Sequence, residues 1–329
     1  MTLLAPTLQA FFTERLARQR QASPQTVVAY RDTFRLLLQF TQRQISIPPS
    51  KLDVADIDAP LIGAFLDYLE RERGNRVRTR NARLAAIHSL MRFAALQHPE
   101  HAAVIQRVLS IPPKRYTQSL VSFLVGDEIA ALVGNPDPNT WIGRRDRALL
   151  TLAIQVGLRV SELTRLRCCD VELGAGAHVR CLGKGRKERA TPLTATTVAI
   201  IRGWLGERGG GPTDPLFPSR RGGPLSSDAV AYLVAKYGKG ASARCPSLRG
   251  KRLTPHVLRH TSAMLLRAGG ADISMIALWL GHESIESTQV YLHADLALKE
   301  RALARTTPPG IATGRYRPPD SLLAFLEGL

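Results

Sequence analysis

Two adjacent prolines, Pro112 and Pro113, constrain this chain more than any other local feature. Proline has no N–H to donate and its ring fixes φ, so no continuous helix runs through the pair. Lys114 and Arg115 follow directly, and 110–119, SIPPKRYTQS, reads as a linker. The 329 residues therefore divide into two parts, each long enough for a core of its own. The expected layout is a helical domain over 1–109, the linker over 110–119, a second domain over 120–305 and a tail over 306–329.

The first part carries apolar residues at helical spacing. TLQAFFTERLARQ begins a helical run over 7–44, within which Ser23-Pro24 caps a second helix, PQTVVAYRDTFRLLLQFTQ. Further helices are expected over 59–71, with Ala64, Phe65, Tyr68 and Leu69 apolar, and over 78–97, with Leu84, Ile87, Leu90, Met91 and Ala94 as the buried stripe. In the second part GDEIAALV opens a helix, and RRDRALLTLAIQVG continues as an apolar one ending at Gly157. AHVRCLG, the turn GKGRK and ERATPL read as two strands around a tight turn. Helices follow over 193–207, 226–237 and 256–269. The expected fold class is mainly α with a small antiparallel sheet.

Charge narrows the partner. Lysine and arginine number 45 against 27 aspartates and glutamates, a net charge of +18. A folded chain this basic needs a polyanion, and nucleic acid is the first candidate. Membrane binding would concentrate the charge on an amphipathic helix or tail, whereas the arginines here are spread through both halves. No stretch approaches the ~20 apolar residues that span a bilayer. MTLLAPTLQAFF lacks the basic leader of a signal peptide, so a cytoplasmic protein is expected. Cys168, Cys169, Cys181 and Cys245 form no CxxC pair and read as reduced and structural; a zinc site built from them with His178 is disfavoured. Neither metal nor cofactor is expected. Arg71, Arg73, Arg76, Arg78, Arg80 and Arg83 crowd the entrance to the helix over 78–97, with only Glu72 to offset them. Arg76, Arg78, Arg80 and Arg83 are read as phosphate contacts.

The chemistry lies in an ordered string. GLRVSEL holds Arg159, GKGRKER holds Lys184, HVLRH holds His256 and Arg259, LGHES holds His282, and QVYLH holds Tyr291. Each motif alone is weak, and GKGRKER lacks the spacing of a nucleotide-binding loop. Together they offer two forked guanidiniums, an ammonium, two imidazoles and a phenol. Such a set can bind a phosphodiester, protonate a leaving oxygen and attack phosphorus. A phenol of pKa ~10 is a poor nucleophile at neutral pH and needs a proton acceptor and a positive field. Arginine can offer aligned N–H donors to two non-bridging oxygens, which lysine cannot reproduce. Lys184 suits a general acid for the departing 5′ oxygen. His256 is the first choice to exchange a proton with the phenol, and His282 to donate to phosphate, although sequence leaves these two roles interchangeable. Glu162, three residues after Arg159, is expected to orient His256 or Arg259. His260 should turn about 100° away from Arg259 on a helix, and is read as a buried structural histidine. His293 is expected to be exposed, and Trp204 and Trp279 to be core.

These six positions, in this order, resemble the tyrosine recombinases, also called phage-type integrases. TPHVLRHTSAMLL and STQVYLHAD are most similar to the Xer-like bacterial branch. The resemblance implies a helical core-binding domain and a mostly helical catalytic domain that close as a clamp around double-stranded DNA. It also implies cutting and rejoining of DNA strands through a covalent 3′-phosphotyrosyl enzyme, with four protomers acting on two DNA sites, alone or with sister recombinases. A mobile-element integrase or transposase is favoured over Xer-like dimer resolution. The reading from a different class is a DNA-binding architectural protein without catalysis. Near the end, Leu322, Leu323, Phe325, Leu326 and Leu329 form an apolar patch too short to hold a helix alone, which is expected to dock either on its own catalytic domain or, as the resemblance implies, on the next protomer.

Overall fold

Helices dominate both halves of the chain. The structure is a computed structural model, and it describes residues 2–116, 121–183, 188–282, 288, 289 and 291. Lys184, His293 and the C-terminal tail lie outside the described residues. The chain divides into two compact units on either side of 118–119.

In the first unit α1 (Leu4–Ala10) runs on into a wider π-wound stretch, Phe11–Gln19. Then come α2 (Pro24–Ile45), α3 (Ala59–Arg71), α4 (Val77–Gln97) and α5 (Ala102–Leu109). Ser23 caps α2 as expected: its Oγ accepts the Thr26 N–H at 3.2 Å, and Pro24 occupies the first turn, where no N–H is needed. At the centre Phe34 meets Phe11 and Tyr30 edge to face, while Phe11 stacks on Tyr30 and lies tilted against Phe93. Leu84, Ile87, Leu90, Met91 and Ala94 form the buried stripe of α4. Helix α5 was not among the expected elements; it is eight residues long, with Ile105 and Val108 buried, and so short an apolar run carries little periodic signal.

The arginine cluster at the start of α4 is divided by the fold. Arg76, the residue before the helix, and Arg78 in its first turn are exposed, and no carboxylate sits in that turn. Arg83 is half-buried, and burial followed by the neighbouring charge of Arg73 lowers its pKa. Arg80, expected among the phosphate contacts, is instead 6% exposed. Its Nη1 donates to the Pro112 carbonyl at 3.3 Å and to Asn81 Oδ1 at 3.1 Å, and Asn81 in turn donates to the Lys114 carbonyl. The proline pair cannot supply N–H donors of its own, and Arg80 serves its carbonyl side. The side chain is thus committed to fastening the segment that leaves this unit.

The second unit contains α6 (Gly126–Val133), α7 (Trp141–Val156), the single turn α8 (Val160–Leu163), α9 (Ala195–Arg208), α10 (Ser227–Ala241), α11 (Pro255–Ala268) and α12 (Ile273–Leu280). Strands β1 (Val171–Glu172), β2 (His178–Leu182) and β3 (Glu188–Pro192) make one antiparallel sheet in the order β1-β2-β3. The hairpin was expected; the short first strand was not. Cys181 lies opposite Arg189, so both share the inward face of the sheet with Val179 and Thr191. Apolar α7 crosses the core and ends at Gly157, whose φ of 67° supplies the left-handed cap. A buried ion pair, Arg145 and Asp146, ties α7 to its surroundings. Arg145 donates to the Pro218 carbonyl, and Asp146 accepts the Tyr237 hydroxyl of α10 at 2.8 Å. Trp204 is core as expected, its indole N–H donating to the Leu216 carbonyl at 2.9 Å.

Candidate active site

The site is built on two helix ends. Helix α7 finishes at Gly157 and α12 finishes at Gly281, each glycine with positive φ, 67° and 65°. The last carbonyls of a helix have no partner within it and carry the negative end of its dipole, so a cation is favourable there. Arg259, on α11, fills both places at once. Its Nη1 donates to the Gly157 carbonyl at 2.6 Å and its Nη2 to the Leu280 carbonyl at 2.8 Å. Arg159, two residues beyond Gly157, sends its Nη2 to the Gly281 carbonyl at 2.9 Å. Two guanidiniums from motifs a hundred residues apart therefore meet at the turn that carries His282. Neither glycine tolerates a side chain. A Cβ on Gly157 would stand 2.6 Å from Leu280, and one on Gly281 2.8 Å from Arg189.

Arg259 is 3% exposed, and its pKa is lowered to about 10, first by burial and then by the like charge of Arg159. A guanidinium with that pKa is still charged at neutral pH. Between the arginines sits Glu162, also buried. Its Oε2 accepts the Arg159 backbone N–H at 2.8 Å and its Oε1 the Arg159 Nη1 at 2.9 Å. It was expected to orient His256 or Arg259; it holds Arg159 and Arg189 instead. Arg189 donates to it through Nη1 at 3.2 Å and Nη2 at 2.8 Å. Burial alone would raise the Glu162 pKa, but the hydrogen bonds from Arg189 and from the Arg159 backbone outweigh it and leave a net lowering. Sequence reasoning missed Arg189. The available signal was alternation: in ERATPL it falls on the same face as buried Thr191, and an arginine on an inward face needs a partner.

Tyr291 is 1% exposed and packs with Ala263, Met264, Ile276 and Leu280. Trp279, expected to be core, lies half-buried against the same cluster. The His282 ring lies parallel to the Tyr291 ring, 6.4 Å between centroids, and its Nδ1 is 2.6 Å from Thr288 Oγ1. His260 was expected to be structural and turned away from the site. The 100° step past Arg259 instead brings it to the phenol, with His260 Nδ1 3.0 Å from Tyr291 Oη. His256 is exposed in the first turn of α11, and its ring stacks on His260 at 5.2 Å. Burial raises the Tyr291 pKa, and Arg259 pulls it partway back. His282 is lowered to about 4 by burial, then Arg259 and Arg159; His260 is lowered to about 4 by burial, then His256 and Arg259. Both imidazoles are neutral at neutral pH. Arg159, Arg259, His282 and Tyr291 thus converge, while Lys184 falls outside the described residues.

Residues 122–297 match the phage integrase family, and residues 10–98 match the phage integrase N-terminal SAM-like domain. The chain belongs to the phage integrase family. It is a tyrosine recombinase, an enzyme that breaks and rejoins DNA strands. Among its relatives is a Sinorhizobium fredii protein named as an integrase/recombinase, y4rC, 56% identical over 326 residues that cover 99% of this chain and 98% of that one. The tyrosine recombinase XerC of Pelobacter propionicus is 36% identical over 287 residues, 85% of this chain and 88% of its own. The fold is that of the XerH site-specific recombinase, solved bound to its palindromic difH substrate after cleavage. That match has a TM-score of 0.70 at 21% identity and covers 87% of this chain and 81% of the other. Among the described residues, no helix of this integrase-family chain is long and apolar enough to cross a membrane.

Proposed function

We propose that this recombinase cuts double-stranded DNA by attack of Tyr291 Oη on a backbone phosphorus, forming a 3′-phosphotyrosyl enzyme and releasing a 5′-hydroxyl. Arg159 and Arg259 hold the non-bridging oxygens and stabilise the charge that builds in the transition state, an effect typically worth 10²- to 10³-fold per donor. His282 and His256 add hydrogen bonds around the phosphate. Lys184 protonates the departing 5′ oxygen. The covalent link conserves the energy of the phosphodiester, so rejoining needs no nucleotide cofactor. The observation that carries this reading is the meeting of Arg159 and Arg259 on the turn that bears His282, with the Tyr291 ring stacked on the His282 ring.

The two units would close around the duplex as a clamp, with Arg76 and Arg78 on its backbone. Four copies would act on two sites, linked through the tail after Tyr291. A mobile-element integrase is the preferred biological role, supported by 56% identity to y4rC along nearly the whole chain. Resolution of chromosome or plasmid dimers is the second reading, favoured by the likeness to XerC. The chemical reading is tested with a nicked suicide duplex that traps the adduct. Tyr291→Phe is expected to bind the duplex and form no covalent complex; an adduct at normal yield assigns the nucleophile elsewhere. Joining of element ends to a second duplex, against resolution of directly repeated sites, separates the two roles.

A further inference from the structure

Attack by Tyr291 requires its phenolic proton to leave, and the phenol is 1% exposed, so bulk water is not at hand to take it. Among the described residues, His260 stands within hydrogen-bonding distance, with Nδ1 at 3.0 Å from Oη and the two rings edge to face at 5.6 Å and 66°. His256, to which the sequence gives this role, lies exposed in the first turn of α11 and stacks on the His260 ring. His282 lies parallel to the Tyr291 ring and directs its Nδ1 at Thr288. The geometry therefore separates the three histidines by task.

We propose that His260 is the general base that takes the proton of Tyr291 in strand cleavage and returns it in rejoining. The inference rests on Tyr291 being the nucleophile. In cleavage the Oη–H proton passes to His260 Nδ1 as the Oη–P bond forms. The P–O5′ bond breaks, and the 5′ oxygen takes a proton from a general acid, the role proposed above for Lys184. In rejoining the 5′-hydroxyl attacks phosphorus, its proton returns to that acid, the Oη–P bond breaks, and Nδ1–H reprotonates the phenolate. Nothing is oxidised or reduced, and no proton is left over.

The tautomer this requires carries its hydrogen on Nε2 and leaves Nδ1 open. The surroundings keep the imidazole neutral at neutral pH, through burial, then His256, then Arg259. A neutral ring can accept a proton, but one pressed by positive neighbours is a weak base. A phosphodiester seated on Arg159 and Arg259 brings a negative charge that offsets that pressure. The base then strengthens when substrate is present, and the buried phenol stays protonated when it is not.

The experiment measures the rate of covalent adduct on a nicked suicide duplex. His260→Ala is expected to slow adduct formation by roughly 10²-fold or more, the range of general-base catalysis, with duplex affinity unchanged. A fluorinated tyrosine installed at position 291 is more acidic and needs less help. It is expected to recover much of the His260→Ala loss and little of a His256→Ala loss. His260→Asn keeps a polar acceptor near the Nδ1 position but cannot carry the proton, so it is expected to fold, bind and remain slow. Wild-type cleavage by His260→Asn or His260→Ala overturns the proposal, as does fluorotyrosine rescue of His256→Ala and not of His260→Ala. Failure of the nucleophile assignment itself reads differently, as an adduct formed by Tyr291→Phe.

Discussion

Glu162 and Arg189 share a two-pronged hydrogen bond, Nη1 to Oε1 at 3.2 Å and Nη2 to Oε2 at 2.8 Å, that links the turn after α7 to strand β3. The side chains are 5% and 12% exposed, so solvent does little to screen the pair. Among the described residues, Arg189→Met leaves the carboxylate with Arg159 as its hydrogen-bond partner. Breaking a buried pair by removing one partner costs about 3 kcal/mol or more. The loss is expected in the unfolding free energy and in the rate of adduct formation, because Arg159 is aimed by the same carboxylate. Glu162→Gln combined with Arg189→Met should cost less than the sum of the two. Strict additivity in the double-mutant cycle would show that the pair is not a unit.

Gly281→Ala is expected to damage cleavage more than binding. Its φ of 65° costs an L-residue about 1 kcal/mol, and the added Cβ would stand 2.8 Å from Arg189 Nη1, which is held on Glu162 and cannot swing aside freely. The strain falls on the residue before His282. Duplex affinity within a factor of a few, with adduct formation down at least tenfold, is the expected pattern. Normal cleavage by this variant would mean that the turn can relax without moving His282.

The arginine cluster of α4 should split into two phenotypes. Neutralising Arg76 and Arg78 is expected to flatten the dependence of duplex affinity on salt by about 0.9 for each phosphate that is no longer neutralised, with unfolding unchanged. Arg80→Ala removes a buried guanidinium from the Pro112 carbonyl and Asn81. It should lower the stability of the first unit by roughly 1–3 kcal/mol. Denaturant melts and salt-titrated binding read the two effects separately, and the reverse pattern would contradict the division.

Acid should weaken the second unit through its buried histidines. His260 and His282 are held at about 4 in the fold, against ~6.5 in an unfolded chain. Between those values the unfolded chain binds protons that the fold refuses. The stability they contribute is therefore complete above pH ~6.5 and is lost as pH falls toward ~4, up to about 3 kcal/mol per histidine. His282→Asn is expected to flatten the fall in unfolding free energy of the second unit between pH ~6.5 and ~4.5. Parallel curves for variant and parent would remove His282 from the account. His88, in the first unit, is also lowered by burial, so the comparison belongs to the second unit's transition.

Local chemistry made much of this protein legible before any coordinates. Ser23-Pro24 marks a helix start, Gly157 a helix stop, and the period of Leu84, Ile87, Leu90, Met91 and Ala94 a buried face, because capping, φ and side-chain period are properties of neighbouring residues. The order Arg159, Lys184, His256, Arg259, His282, Tyr291 indicated the family for the same reason, since each lies in a short motif. Pairings across long separations were decided only by tertiary structure. Whether Glu162 meets Arg189 or His256 depends on how strand β3 lies against the turn after α7. Whether Arg80 faces a duplex or a proline carbonyl depends on the path of the chain thirty-two residues later. His260 is the clearest case. One step along the helix from Arg259 fixes its direction within α11, and only the packing of Tyr291 against that face turns a core histidine into a partner of the phenol.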